Sequence, residues 1–427
     1  MATSQPIKAS KLFVLTSVIM LLFGSILGSL WMMMLFNSSF SLEIVNAMRL
    51  HRSIQINGFL ALIIMGIGYM IVPRFRNISL PSSKLPYLSY ILVIFSISVS
   101  ILSPFVASIE VNNAITLLGN FCRAAGVTVF FVLMIYVLRV RPKLLKMADL
   151  FIALSVVLFV TLTILQSLNI YEISENILLW LTFLILMIFG IEYKTLPSFI
   201  GFIWPRKISS IICVTLLIFS VGIGLVTLFY GTNNKIQLLF SISLLAGTGF
   251  FTIALNIFGG FDYSHILGLS KDEKRARYKY TLLHIKLSFI FLYLGLVLLL
   301  LSIFFPDIFI LYDMWIHTIA IGFIGVTIAL YLPLMLYTII GRTIRFLHFS
   351  KIPICLIIAS IGLRFIGDLF LQTNLLTNGE EEYVYLSIPL SLSGWVVVAA
   401  IISFIVMIHS SMNKGSVVYD RDRTSPL

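Results

Sequence analysis

The chain has little charge and little cysteine. Only 11% of its 427 residues are charged and 59% are hydrophobic, whereas a soluble globular protein is about 25% charged. So little polar surface excludes a soluble enzyme, a disordered chain and a nucleic-acid-binding protein. The three cysteines lie in apolar runs without CxxC spacing, which excludes a disulfide scaffold and a thiolate metal site and favours a role in the core.

Long apolar runs are abundant instead. The mean hydropathy is +1.07, and runs of roughly 20 residues, long enough to span a bilayer, recur along the chain. Such runs predict an all-α polytopic membrane protein, because a lipid-exposed segment must satisfy its own backbone hydrogen bonds. The first run is too long for a cleavable signal peptide and is expected to stay as helix one. Residues 1–427 form one predicted domain, with about twelve transmembrane helices at 12–36, 46–72, 86–106, 114–138, 148–168, 176–192, 208–230, 235–258, 281–304, 311–340, 353–371 and 386–409.

Lysine and arginine gather in alternate connections. If the N-terminus is cytoplasmic, the inner connections hold 23 of the 29 basic residues, and the outer connections hold only Lys235. Acidic residues, including the run Glu380-Glu381-Glu382, collect on the outer side. Since positive residues mark the cytoplasmic side, we predict both termini inside, in the cell (cytoplasmic) membrane. The net charge of +12 is then a topology signal, with the lipid bilayer as partner and no nucleic acid.

Four arginines fall inside predicted helices, where an ionisable group is costly and marks a function or a buried partner. Arg49 and Arg52 lie near the outer start of helix two. Arg123 is expected about 14 Å from the outer end of helix four, and Arg364 about 11 Å from that of helix eleven. Asp368, one turn from Arg364, is its expected i,i+4 partner.

Two of the six histidines share one depth. His51 lies about five residues into helix two and His317 about six residues into helix ten, both counted from the outer side. The other four are predicted to be solvated or headgroup-facing side chains near the inner surface: His265, His284, His348 and His409.

Two imidazoles at one membrane depth, with arginines nearby, suit a haem. Neutral imidazoles can ligate the iron from opposite faces, and guanidinium groups pair with the propionates. A zinc or copper ion is less suited, because no third ligand lies at that depth. We therefore expect a b-type haem, with metal ligands His51 and His317, propionate partners Arg52, Arg123 and Arg364, and Gln55 as a pocket residue one turn from His51.

These two helices resemble those of a known superfamily. Helix two contains His51, then Gly58 and Gly66-Ile-Gly68, and helix ten contains Trp315-Ile-His317 followed by Gly322. The catalytic subunit of haem-copper oxidases has a similar layout, with a haem-ligating histidine near the outer face of helix two and the opposing ligands in helix ten. The layout resembles that of the NnrS family more closely still. The resemblance to NnrS also includes Leu363-Arg364 in helix eleven.

The resemblance to NnrS implies haem and copper, and a function in nitric oxide response or respiratory electron transfer. Nitric oxide or a redox partner protein would then be its partner. The chain departs from the oxidases, because helices six and seven contain no histidine and Ile319 stands where their helix ten has a second one. Copper therefore has no ligand set here, and reduction of oxygen or nitric oxide at a copper–haem centre is not supported.

Two other functions fit parts of the sequence. Twelve helices with both ends inside is a common layout of secondary transporters, in which a buried Arg364–Asp368 pair would couple transport to protons. Against this, the two halves show no clear similarity, and the charged groups lie in the outer third and not at the midplane. In an accessory subunit the buried charges would be structural. A haem-binding protein accounts for more of the sequence, because it also uses the histidines.

The topology can be tested with reporter fusions. A reporter fused after Leu427 or inserted at Ser270 should report the cytoplasm, and one inserted at Asn378 should report the outer side, because basic residues flank only the first two sites. Protease accessibility in intact cells and inverted vesicles provides the measurement. The opposite result at any site would contradict the depths given above.

Overall fold

A computed structural model describes residues 5–35, 44–106, 108–140, 146–168, 177–230, 233–259, 270–340, 344–377 and 388–412. Within these ranges the chain is helical and has no strand. Twelve helices are long and apolar enough to cross a membrane, so the predicted fold class and helix number are confirmed. The orientation of the helices in the membrane stays a prediction.

Nine of the twelve helices are single segments. They are α1 (Gln5–Leu35), α3 (Leu85–Leu102), α4 (Ile109–Arg139), α5 (Met147–Ser167), α7 (Lys207–Tyr230), α8 (Asn234–Leu255), α9 (Lys271–Phe304), α11 (Ile352–Thr377) and α12 (Ile388–Ser411).

The other three helices contain π-helical turns. Helix α6 (Ile177–Thr195) continues into a π segment, Leu196–Ile200. Helices α2 and α10 each consist of an α segment, a π segment and a second α segment. In α2 these are Ile44–Ser53, Ile54–Leu60 and Ala61–Arg76, and in α10 they are Phe309–His317, Thr318–Gly325 and Val326–Ile340.

Several helices extend beyond the predicted apolar runs. Helix α9 begins at Lys271, about ten residues before the predicted start, where the Ser270 hydroxyl accepts a hydrogen bond from the Glu273 backbone N–H at 3.2 Å. Asp272 and Glu273 in its first turn complement the positive end of the helix dipole. Such capped, charged turns continue a helix in water, so hydropathy alone does not locate its end.

These longer helices change two predicted depths. Helix α4 begins at Ile109, which places Arg123 about 21 Å from its outer end at 1.5 Å per residue, and not about 14 Å. Helix α11 ends at Thr377, so Arg364 is about 20 Å from that end, and not about 11 Å. The predicted common depth of His51 and His317 is kept, because they lie about 11 Å and 12 Å into α2 and α10.

Helix α2 lies at the centre of the bundle, since 94% of its most apolar window is buried, against 28% for α1 and α12 at the periphery. Helix α1 packs against α2 and α12, and α11 packs against α10 and α12. These helices, together with α9, surround the space in which the histidines lie.

Glycines bring α9 and α10 close together and fix their register. A Cβ atom on Gly295 would lie 2.5 Å from Cγ1 of Ile319, and one on Gly322 would lie 2.5 Å from Cγ of Phe291. Real Cβ atoms do not approach other atoms so closely, so an alanine at either position would push the helices apart. Residues 295 and 319 are therefore at one level, as are 291 and 322.

Candidate functional site

A single long cavity of about 760 Å³ lies among α1, α2, α9, α10, α11 and α12. This volume falls in the range of about 300–1,000 Å³ that is usual for cofactor and ligand sites. Most of its wall is apolar. Polar side chains line the end that the predicted topology places outside, here called the outer end, namely Ser25, Ser29, His51, Arg52, Gln55, Tyr312, Asp313, His317 and Arg364. Others line the opposite end, here called the inner end, namely Tyr280, His284, Ser350 and His409.

The ring of His51 is held in one tautomer. Its Nδ1 lies 2.7 Å from the backbone carbonyl of Gly24 in α1. Because a carbonyl oxygen can only accept, Nδ1 is the donor, and the neutral ring carries its lone pair on Nε2. Gly28 permits this position, since a Cβ there would lie 2.6 Å from Cε1 of His51. Helix α1 thus positions a histidine of α2 with its Nε2 available as a ligand.

His317 has the same arrangement, built within its own helix. Its Nδ1 lies 2.9 Å from the backbone carbonyl of Asp313, one turn earlier, and 3.2 Å from Oδ1 of the same residue. Nδ1 is again the donor, which leaves the lone pair on Nε2. A histidine that donates its second ring N–H to a carbonyl or carboxylate is typical of metal ligands. His51 lies close enough to His317 and Arg364 to interact electrostatically with both.

Asp313 also holds Arg364. The Arg364 guanidinium donates from Nε to Oδ2 and from Nη2 to Oδ1, the second bond at 2.9 Å. Both residues are buried, so this two-bond pair joins α10 to α11 inside the bundle. The predicted pairing of Arg364 with Asp368 is wrong. Asp368 is fully buried nearby, and neither of its carboxylate oxygens has a hydrogen-bond partner among the residues that the structure describes.

The π segments of α2 and α10 lie directly after the two histidines. One begins three residues after His51, and the other begins at Thr318, immediately after His317. A π turn inserts an extra residue and rotates the helix, and such turns are frequent at functional sites. No feature of composition or hydropathy indicates them. In both candidate ligand helices, the π segment therefore begins within three residues after the histidine.

Of the other predicted site residues, Arg52 and Gln55 line the cavity and Arg123 does not. Arg52 is half-buried and lines the cavity with Gln55, whose Nε2 donates to Oγ of Ser25 at 3.2 Å. Arg123 is buried but is not among the residues that line the cavity, and its Nη2 donates to Oδ1 of Asn120 on α4 itself. The geometry therefore gives no support to Arg123 as a propionate partner, because residues of α4 do not reach this space.

Two further residues, Asp313 and His284, differ from the sequence-based prediction. Asp313 belongs to the acidic residues expected on the outer side, but it is buried and contacts His317 and Arg364. Its position one turn before His317 is the sequence signal for such a contact. His284, expected at the inner surface, is only 5% exposed and lines the cavity. His348 is exposed, as predicted, and so is His409, although His409 also lines the cavity. His265 lies outside the described residues.

The site offers few protein ligands to a bare metal ion. Among the residues that the structure describes, no three or more histidine, cysteine, aspartate or glutamate side chains gather where they could hold one. A search of known families and of curated proteins found no family model and no protein that match the chain. The chemistry of the site therefore has to be argued from its own residues.

The Asp313–Arg364 pair is expected to stabilise the fold. Replacing Arg364 by Gln leaves a buried carboxylate without its cation, which should cost about 3–5 kcal/mol of unfolding free energy. Arg345→Gln, at an exposed arginine on the inner side, is the matched control and should cost less than about 0.5 kcal/mol. Thermal unfolding of the purified protein in detergent measures both.

The double variant Asp313→Asn/Arg364→Gln tests whether the loss of stability comes from leaving one charge buried without its partner. It removes both charges together, so it should be more stable than Arg364→Gln alone. If Arg364→Gln and Arg345→Gln melt at the same temperature, the pair contributes nothing to stability.

Proposed function

We propose that the chain is a haem-binding multi-pass membrane protein, in which His51 and His317 are the axial ligands of the iron. The observation that carries this proposal is the matched pair of imidazoles. Both lie about 11–12 Å into their helices, both line one cavity, and both donate Nδ1–H to a backbone carbonyl. Each therefore presents an Nε2 lone pair, which is the group that ligates iron.

A haem fits these residues better than a bare ion does. A tetrapyrrole brings four equatorial nitrogens, so the protein has to supply only two axial ligands, and two histidines from different helices are a common set. The apolar walls of the cavity suit the flat face of the macrocycle. When bound through two imidazoles, the iron would be six-coordinate and low-spin, which suits one-electron transfer or sensing.

Arg52 is the better candidate for a propionate partner. It lines the cavity one residue after His51. Arg364 also lines the cavity, but two of its donors are already engaged by Asp313. We therefore assign the propionate contact to Arg52 and assign Arg364 chiefly to the ion pair that positions Asp313 and, through it, His317.

The resemblance to the NnrS family supports a narrower proposal. A haem in the outer third of the cell membrane would be accessible to nitric oxide or to a redox partner on the outer side. We propose a function in nitric oxide response or respiratory electron transfer on this basis. Copper, which the same resemblance implies, is not included, since the described residues offer it no ligand set.

The secondary transporter with a buried Arg/Asp/His site remains the alternative, since Arg364 and His317 both contact Asp313 inside the bundle. The pair predicted for that alternative was Arg364–Asp368, and the partner of Arg364 is Asp313. Asp368 also favours it, because it is a second buried carboxyl group and its oxygens have no hydrogen-bond partner in the described part of the chain. A colourless, monodisperse preparation of the purified protein would favour the transporter, whereas a Soret band would favour the haem protein.

Single histidine variants test the ligand assignment. His51→Ala and His317→Ala each remove one axial ligand, so each should abolish the low-spin signal that depends on that pair or convert it to high spin. His348→Ala is the matched control, because this histidine is exposed and lies outside the cavity. Absorption and electron paramagnetic resonance spectra of the purified variants provide the measurement. An unchanged low-spin spectrum in His317→Ala would exclude α10 as a ligand helix.

The propionate assignment is tested on α2 itself. Arg52→Gln should lower the reduction potential of the haem, because a nearby cation favours the reduced, less positive iron. A shift on the order of 50 mV is expected, since 59 mV corresponds to a tenfold change in a one-electron equilibrium. Arg49→Gln, three residues earlier at an exposed position, should leave the potential unchanged. Equal potentials in both variants and the parent protein would refute the contact.

A further inference from the structure

The inner end of the cavity contains a second pair of histidines, His284 of α9 and His409 of α12. His284 is buried, and its Nδ1 lies 2.8 Å from the backbone carbonyl of Tyr280. As in the outer pair, the carbonyl makes Nδ1 the donor and leaves the lone pair on Nε2. The Tyr280 ring packs on the His284 ring at a centroid distance of 3.9 Å and limits its rotation.

Contacts between helices give the depth of His284. Gly295 lies at the same depth as Ile319, and Phe291 lies at the same depth as Gly322. These two contacts fix the antiparallel register of α9 and α10. Continued inward, this register places His284 at the level of Ala329, which also accepts a hydrogen bond from the Tyr280 hydroxyl. Ala329 is twelve residues after His317, so His284 lies about 18 Å further into the membrane than His317.

The depth of His409 follows from α11. The Ser360 hydroxyl donates to the Ser393 carbonyl at 2.8 Å, and Ser360 lies one turn inward of Arg364, which pairs with Asp313. Ser393 is therefore at about the level of His317. His409 is sixteen residues further along α12, which places it about 24 Å inward of His317.

The two inner histidines thus lie within about 6 Å in depth, or one helical turn. Side chains lean towards the N-terminus of their helix. Helices α9 and α12 run in opposite directions, so His284 leans away from the outer pair and His409 leans towards it. This opposite lean brings the two imidazoles towards one level.

The connection between α10 and α11 contacts both α9 and α12 beside these histidines. Its described part, residues 344–351, is here called the strap. It contains the 3₁₀ turn Phe346–His348. The ring of Tyr280 contacts Phe346 and Phe349 at centroid distances of 5.8 and 4.7 Å. At the other end of the strap the Arg345 N–H donates to the Ser411 carbonyl, two residues from His409, at 3.0 Å. The strap therefore contacts both α9 and α12 at this end of the cavity.

We propose that the inner end of the cavity is a second haem site, with His284 and His409 as the axial ligands of its iron. The proposal rests on the proposed function of the outer pair. The ligand class follows from the same argument, because two imidazoles without a third protein ligand among the described residues suit a metal that brings its own equatorial nitrogens. The cavity of about 760 Å³ extends to these two histidines, which both line it.

Two haem sites would allow electrons to cross the membrane in two shorter steps. A single haem in the outer third cannot carry electrons across a hydrocarbon layer of about 30 Å. The inner pair lies about 18–24 Å below the outer pair, close to the opposite face of the membrane. Together the two sites would divide the membrane into shorter steps.

The number of haems per chain tests the second site. The purified full-length protein should contain two haems per chain by the pyridine haemochrome assay, with two low-spin signals in its electron paramagnetic resonance spectrum. His409→Ala, at an exposed position that tolerates substitution, should remove one low-spin signal and keep the signal that depends on His51. His284→Ala should remove the same signal as His409→Ala, and His348→Ala should remove neither.

The possible failures can be distinguished. One haem per chain, with a low-spin signal that responds to His51→Ala and not to His409→Ala, would overturn the inner site and leave the proposed function intact. Two low-spin signals that both persist in His409→Ala would also overturn it. A protein without haem would refute the outer site as well. If His284→Ala does not fold, the His409→Ala result alone decides.

Discussion

The carboxylate of Asp313 connects Arg364 and His317 in the interior of the bundle. It accepts two hydrogen bonds from Arg364 of α11, and it lies beside Nδ1 of His317 in its own helix. A buried charge is costly without a partner, so neither Asp313 nor Arg364 can leave this arrangement without a large penalty. The backbone carbonyl of Asp313 sets the tautomer of His317, and its carboxylate helps to hold the ring in place.

The same constraint, a donor satisfied at Nδ1, recurs at three histidines that line the cavity. Gly24 accepts from His51, the Asp313 carbonyl accepts from His317, and Tyr280 accepts from His284. In a membrane interior an unsatisfied ring N–H is expensive, so each ring adopts the tautomer that leaves Nε2 towards the cavity. The hydrogen bond from Nδ1 to a backbone carbonyl therefore also leaves the Nε2 lone pair of each imidazole free to bind a metal.

Much of the fold could be predicted from the sequence, because lipid imposes a simple rule on composition. Twelve apolar runs gave twelve helices, and the shared depth of His51 and His317 survived the changes in helix ends. The depths of Arg123 and Arg364 did not, because α4 and α11 continue past their apolar runs and hydropathy cannot detect a helix end in water.

The partners of the buried charges were harder to predict. Arg364 had an acidic residue one turn away on its own helix, and only the packing of α10 against α11 shows that Asp313 is the one it contacts. The inner histidine pair was missed for a similar reason. His284 and His409 are 125 residues apart and lie in helices of opposite direction, so their common level depends on interhelical register, which sequence spacing does not encode.

His51 and His317 are proposed to ligate a haem iron, and electron–nuclear double resonance tests this most directly. Protein labelled only at histidine with ¹⁵N would be purified in the ferric state and its low-spin signal examined for coupling to the label. The account predicts two strongly coupled histidine nitrogens on the iron of the outer site, one lost in each of His51→Ala and His317→Ala. An iron signal without histidine coupling, or a coupling that both variants retain, would contradict it.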